Sequence, residues 1–85
     1  MPAMEKTIRQ FFIDNAWLEK DRELGKTDSL LENGVIDSVA MIELIGFIER
    51  NYGVHIPDED LMPEYFDTLA SIVAYIEQKK QAVGR

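Results

Sequence analysis

Apolar residues between Pro2 and Leu18 recur at helical spacing. Met4, Ile8, Phe11 and Phe12 share one face, Pro2 suits a first helical turn, and Trp17 and Leu18 close the apolar side. A polar stretch from Glu19 to Asp28 follows, punctuated by Gly25. The run from Ser29 to Ile36 has apolar anchors but no lasting period. It reads as a long loop pinned to the core by Leu30, Leu31 and Ile36. A second helix is predicted to start at Asp37 or Ser38, either of which is a good N-cap. Met41, Leu44, Ile45, Ile48 and Tyr52 then mark a core stripe, and Gly53 is the natural left-handed stop.

Beyond Gly53, Val54-His55-Ile56-Pro57 is a short extended link, because proline disfavours helix at the residue before it. Asp58 is placed to cap a brief third helix that Pro63 interrupts. Asp67 or Thr68 caps the last helix, whose Leu69, Ile72, Val73 and Ile76 form one face. Lys79 and Lys80 fall at its C-terminal end, where the helix dipole favours cations. The fold class expected is all-α: a small four-helix bundle of three main helices and one short one, with a long loop between helices one and two. At 85 residues the chain has room for a single domain, residues 1–85.

Composition narrows the chemistry. There is no cysteine, so disulfides, thiolate metal sites and cysteine nucleophiles are all excluded, and the single His55 rules out a histidine cluster. No metal site is expected. Nothing resembles a signal peptide or an apolar run of ~18 residues, which predicts a cytoplasmic protein that inserts in no membrane. The net charge of −7 is unevenly spread: residues 1–27 sum to 0, residues 28–67 to −9 and residues 68–85 to +2. An anionic middle repels phosphate backbones and draws basic protein surfaces, so nucleic acid is not an expected partner.

On the side of the second helix away from its core stripe lie Val39, Ile42, Glu43, Gly46 and Arg50, with Glu49 on the flank. A stripe that mixes exposed apolar and acidic groups is a docking surface for a basic, greasy partner. The plainer alternative is that Val39 packs under the long loop and Ile42 is an ordinary exposed aliphatic. Ser38 is the position with chemistry: its hydroxyl stands where a loop meets a helix N-terminus, and the unpaired amides there favour a phosphate on that oxygen. Asp-Ser is equally the sequence of a plain N-cap. A hydrolase is excluded, since Ile36-Asp37-Ser38-Val39-Ala40 is not a nucleophile elbow and His55 lies about five helical turns further along the same helix and link. Asp58-Glu59-Asp60 lacks the glycine and terminal glutamate of a calcium-binding loop.

The run Leu30-Leu31-Glu32-Asn33-Gly34-Val35-Ile36-Asp37-Ser38, continuing to Ile42-Glu43-Leu44 and then Tyr52-Gly53-Val54-His55-Ile56-Pro57-Asp58-Glu59, resembles the acyl carrier proteins over nearly the whole chain. The resemblance implies a non-catalytic, monomeric carrier. Ser38 would receive 4′-phosphopantetheine from coenzyme A through a phosphopantetheinyl transferase, and the arm's thiol would hold acyl or aminoacyl groups as thioesters. It also implies that Asp37, Val39, Ile42, Glu43 and Glu49 meet the transferase and an acyl- or aminoacyl-activating ligase or synthase. Ala40, Arg50 and Asn51 stand where fatty-acid carriers have acids, so the likeness is greater to stand-alone aminoacyl, D-alanyl or secondary-metabolite carriers. The alternative is an acidic protein-binding adaptor with no prosthetic group, in which Ser38 is only a cap.

Overall fold

The computed structural model describes residues 2–83, with side chains described for residues 3–80. Its elements are α1 (Pro2–Asp14), α2 (Ser38–Tyr52), a 3₁₀ turn (Asp58–Asp60), α3 (Pro63–Phe66) and α4 (Leu69–Val83). Among the described residues there is no strand. The expected all-α bundle of three main helices and one short one is therefore what forms.

The last helix is the spine, since α1, α2 and α3 all pack on α4. Its Leu69, Ile72 and Ile76 are fully buried against Ile8 and Phe12 of α1, Leu44 and Ile48 of α2 and Phe66 of α3. The core stripe of α2 is tighter than its spacing suggests. Ala40, Leu44, Ile45 and Ile48 are buried, whereas Met41 and Tyr52 stay partly exposed at its margins.

Helix α1 stops at Asp14, four residues short of the expected Leu18. Ala16 adopts a left-handed φ of 63°, so the Ala16 and Trp17 amides turn back to donate to the carbonyls of Ile13 and Phe12. This is the helix-ending motif usually built on glycine. The reversal carries Leu18 into the core, where it is buried. Without a glycine at that position the stop has no sequence marker.

The long loop is not shapeless. Residues 29–34 wind one helical turn that ends on Gly34 at φ 72°, with Gly34 N–H donating to the Leu31 carbonyl and Val35 N–H to that of Leu30. Leu30, Val35 and Ile36 are the residues that pin it, and Leu24 adds a fourth anchor. Leu31, expected as a pin, points outward and is 40% exposed. At the far end of α2, Gly53 at φ 66° closes the helix by donating to the Glu49 carbonyl, as expected. Pro63 does not interrupt a helix but begins α3, because a first-turn residue needs no amide partner. Thr68, rather than Asp67, caps α4: its hydroxyl accepts the Ser71 N–H at 3.0 Å.

Candidate functional site

The N-terminus of α2 divides two roles between adjacent residues. Asp37 is the N-cap, in extended conformation, and its Oδ1 accepts the Ala40 N–H at 2.8 Å. Ser38 is therefore the first helical residue. Its side chain is exposed, and no hydrogen bond engages its hydroxyl among the described residues. The first amide to bond within the helix is that of Met41, which donates to the Asp37 carbonyl at 2.8 Å. With Ala40 capped, the amides of Ser38 and Val39, inside the first turn, are left without helical partners. An oxyanion joined to Ser38 Oγ would meet both, at the positive end of the helix dipole.

Two open grooves flank this tip. One of about 610 Å³ runs between the loop and α2, bordered by Trp17, Leu31, Val35, Val39 and Glu43. The other, of about 290 Å³, is lined by Leu31, Ser38, Met41, Ile42 and the Leu61-Met62-Pro63 link. Among the described residues, the large apolar side chains that remain exposed are Leu31, Val39, Ile42, Leu61 and Met62, and every one of them borders one of these grooves. Val39 and Ile42 are the most open, at 67% and 68%. Val39 thus does not pack under the loop. Among the described residues, the most exposed large apolar side chains are gathered around a single hydroxyl.

The expected acidic residues separate into two groups. Asp37 and Glu43 border the larger groove near the α2 tip, with exposed carboxylates. Glu49 sits in the last turn of α2, ~16 Å further along at 1.5 Å per residue. Its Oε2 accepts the Ile56 N–H at 2.9 Å and lies 3.7 Å from His55 Nδ1. Glu49 thus ties the 54–57 link to α2, a bond between backbone and side chain that helix periodicity does not signal. His55 is an exposed link residue, as its sequence position suggests. Over Gly46 lies the Arg50 guanidinium, 3.1 Å from where a Cβ would stand, so the space left by the absent side chain is filled from within the helix.

Leu31, Leu61 and Met62 are members of the site that the helical stripe did not contain. The available signal was a pair of large apolar residues, Leu61-Met62, set between an acidic run and a proline. Among the described residues no group of acidic or histidine side chains is placed to hold a metal, and no helix is long and apolar enough to cross a membrane.

An unengaged serine hydroxyl with free amides beneath it and apolar grooves beside it fits a phosphate-linked group carried on the outside of a bundle. The family comparison agrees: residues 13–76 match the phosphopantetheine attachment site family. The chain is 29% identical over 76 residues to an acyl carrier protein of Akkermansia muciniphila, covering 89% of this chain and 91% of that one. It is 26% identical, again over 76 residues, to the acyl carrier protein AsbD of Bacillus anthracis, covering 89% and 84% of the two chains. A chain in a crystal structure described as that of an FAD-dependent dehydrogenase superposes with a TM-score of 0.66 at 39% identity, over 80% of this chain and 97% of that chain. The protein belongs to the acyl carrier protein family, whose members are carriers of 4′-phosphopantetheine rather than catalysts.

Proposed function

We propose that this protein carries acyl or aminoacyl groups for partner enzymes, and that Ser38 is its point of attachment. The observation that carries the reading is the division of labour at the α2 tip: Asp37 supplies the cap, which frees the Ser38 hydroxyl. As nucleophile, Ser38 Oγ loses its proton to a base of the transferase and bonds to a phosphorus of coenzyme A, whose nucleotide half leaves. The Ser38 and Val39 amides then face the retained phosphate charge. When attached, the phosphopantetheine group supplies a terminal thiol, the only one in this cysteine-free protein, for holding cargo as a thioester.

Val39 and Ile42, together with Leu31, Leu61 and Met62, form the apolar part of the partner face, and Asp37 and Glu43 its charged edge. The expected partners are a phosphopantetheinyl transferase and an acyl- or aminoacyl-activating ligase or synthase. The likeness to a chain from an FAD-dependent dehydrogenase structure adds a flavin-dependent dehydrogenase as a candidate enzyme acting on the carried group. Glu49, whose carboxylate is already bonded to the Ile56 amide, contributes to this face through its charge rather than a direct ion pair. Exposed charge pairs of ~0.2–1 kcal/mol suit a carrier that must leave one enzyme for the next.

Intact-mass measurement after incubation with coenzyme A and a transferase tests the reading. Wild type is expected to gain one phosphopantetheine and Ser38→Ala none. An unchanged wild-type mass, or labelling that survives Ser38→Ala, overturns it.

A further inference from the structure

The 290 Å³ groove beside Ser38 has two walls that do not belong to α2: Leu31 from the loop, and Leu61 to Pro63 from the link before α3. Neither wall is held by burial of its own apolar side chains, since Leu31 is 40% exposed and Leu61 and Met62 are each 38% exposed. Backbone anchors and polar tethers fix them, and the side-chain tethers of the Leu31 wall converge on one residue. The Asp67 carboxylate accepts the Ser29 hydroxyl at 2.7 Å through Oδ2 and the Leu31 N–H at 2.9 Å through Oδ1. Its carbonyl accepts the Leu30 N–H at 2.7 Å, and its own N–H donates to the Pro63 carbonyl at 2.8 Å. Ser29 Oγ also accepts the Glu32 N–H at 3.0 Å, which locks the turn that presents Leu31. A half-buried carboxylate is a strong acceptor, and this one is used for loop bonds alone: no cation pairs with it among the described residues, and the capping of α4 falls to Thr68.

We propose that Asp67 is a positioning residue for the recognition face: its carboxylate clamps the loop wall of the groove and so sets how tightly enzymes engage the carrier at Ser38. The inference rests on the Ser38 reading above. Asp67 touches neither the serine nor its cargo. Its effect reaches recognition through the placement of Leu31.

The test combines loading kinetics with hydrogen exchange on the full chain, using coenzyme A and a phosphopantetheinyl transferase. Asp67→Ala is expected to raise the transferase KM for the carrier about tenfold, with kcat within about twofold, as befits loss of two charge-assisted bonds behind the face. The Leu31 amide should lose its exchange protection in the unloaded protein. Asp67→Asn, which keeps an acceptor for that amide, should recover part of the KM. Ser29→Ala, which removes one of the two carboxylate bonds together with the Glu32 N–H bond, should fall between and serves if Asp67→Ala does not fold. Ser71→Ala weakens the neighbouring α4 cap and should lower the melting temperature without moving KM. A wild-type KM in Asp67→Ala or in its Ser29→Ala substitute, or an equal rise in Ser71→Ala, overturns the inference while the carrier reading stands. A wild-type protein that is not loaded at all overturns both.

Discussion

In the proposed carrier, Asp37 and Ser38 are neighbours with opposite obligations. A cap must keep its oxygen on the backbone, and a tether must keep its oxygen free. Here Oδ1 of Asp37 bonds the Ala40 amide, and Ser38 is left on the first turn with nothing to hold. The assignment has a direct thermodynamic signature. Replacing Asp37 with alanine should cost about 1 kcal/mol in urea unfolding, and asparagine, an equally good cap, should restore most of it. Ser38→Ala should stay within about 0.5 kcal/mol of wild type, because it breaks no bond. If the serine variant were the more destabilised of the two, the hydroxyl would be the cap and its freedom to react would be lost. Leu31 poses the complementary case of a large side chain left in water without a packing reason, and the tethers behind it supply the reason.

Along α2 the same face serves two purposes, and charge reversal separates them. Glu43→Lys places a cation on the groove near the α2 tip and should slow transferase loading about fivefold at low salt, with the effect fading as salt screens it. Glu49→Lys should slow loading less but lower stability more, because it removes the acceptor of the Ile56 amide. Stopped-flow or mass-based loading rates at two ionic strengths, read beside urea midpoints, check both; equal loading defects in the two variants would show that their common charge, not position, is what matters. Much of α2 was legible in advance: Leu44, Ile45 and Ile48 fall at core spacing, and Gly53 marks the stop. Three features were not. The end of α1 rests on Ala16 in a conformation that alanine seldom takes, Pro63 fills the one helical slot where proline is welcome, and the bond from Glu49 to Ile56 joins residues whose spacing carries no period. The exposed apolar and acidic stripe of α2 was visible in the sequence, but Leu31, Leu61 and Met62 join it only through the fold, from segments that no helical wheel contains.

At the scale of the molecule, α4 and the residues that lead into it hold the proposed recognition face from behind at two places. Asp67, just ahead of its first turn, ties the loop, and Tyr75 ties the 3₁₀ turn by donating its hydroxyl to Asp60, the residue before Leu61. Lys79 adds its charge to the same carboxylate at 3.6 Å and lies over the Tyr75 ring. Burial first, and then the hydrogen bond to Asp60, push the Tyr75 pKa well above the ordinary tyrosine value of about 10. The folded state thus prefers the protonated phenol more than the unfolded chain does. Up to pH ~10 that preference stabilises the fold in full; above it the unfolded phenol ionises first, binds fewer protons than the folded one, and stability falls as pH rises. The loss proceeds at up to ~1.4 kcal/mol per pH unit until the folded phenol itself ionises. Tyr75→Phe forgoes the bond, at about 1–2 kcal/mol near neutral pH, but has no such group to titrate. Urea midpoints measured from pH 8 to 11.5 should therefore show the two proteins converging above pH ~10, the lysines and other tyrosines being common to both. Curves that stay parallel through that range would mean that the phenol is no better held in the folded chain than in the unfolded one, and that the wall carrying Leu61 and Met62 is fixed by something other than Tyr75.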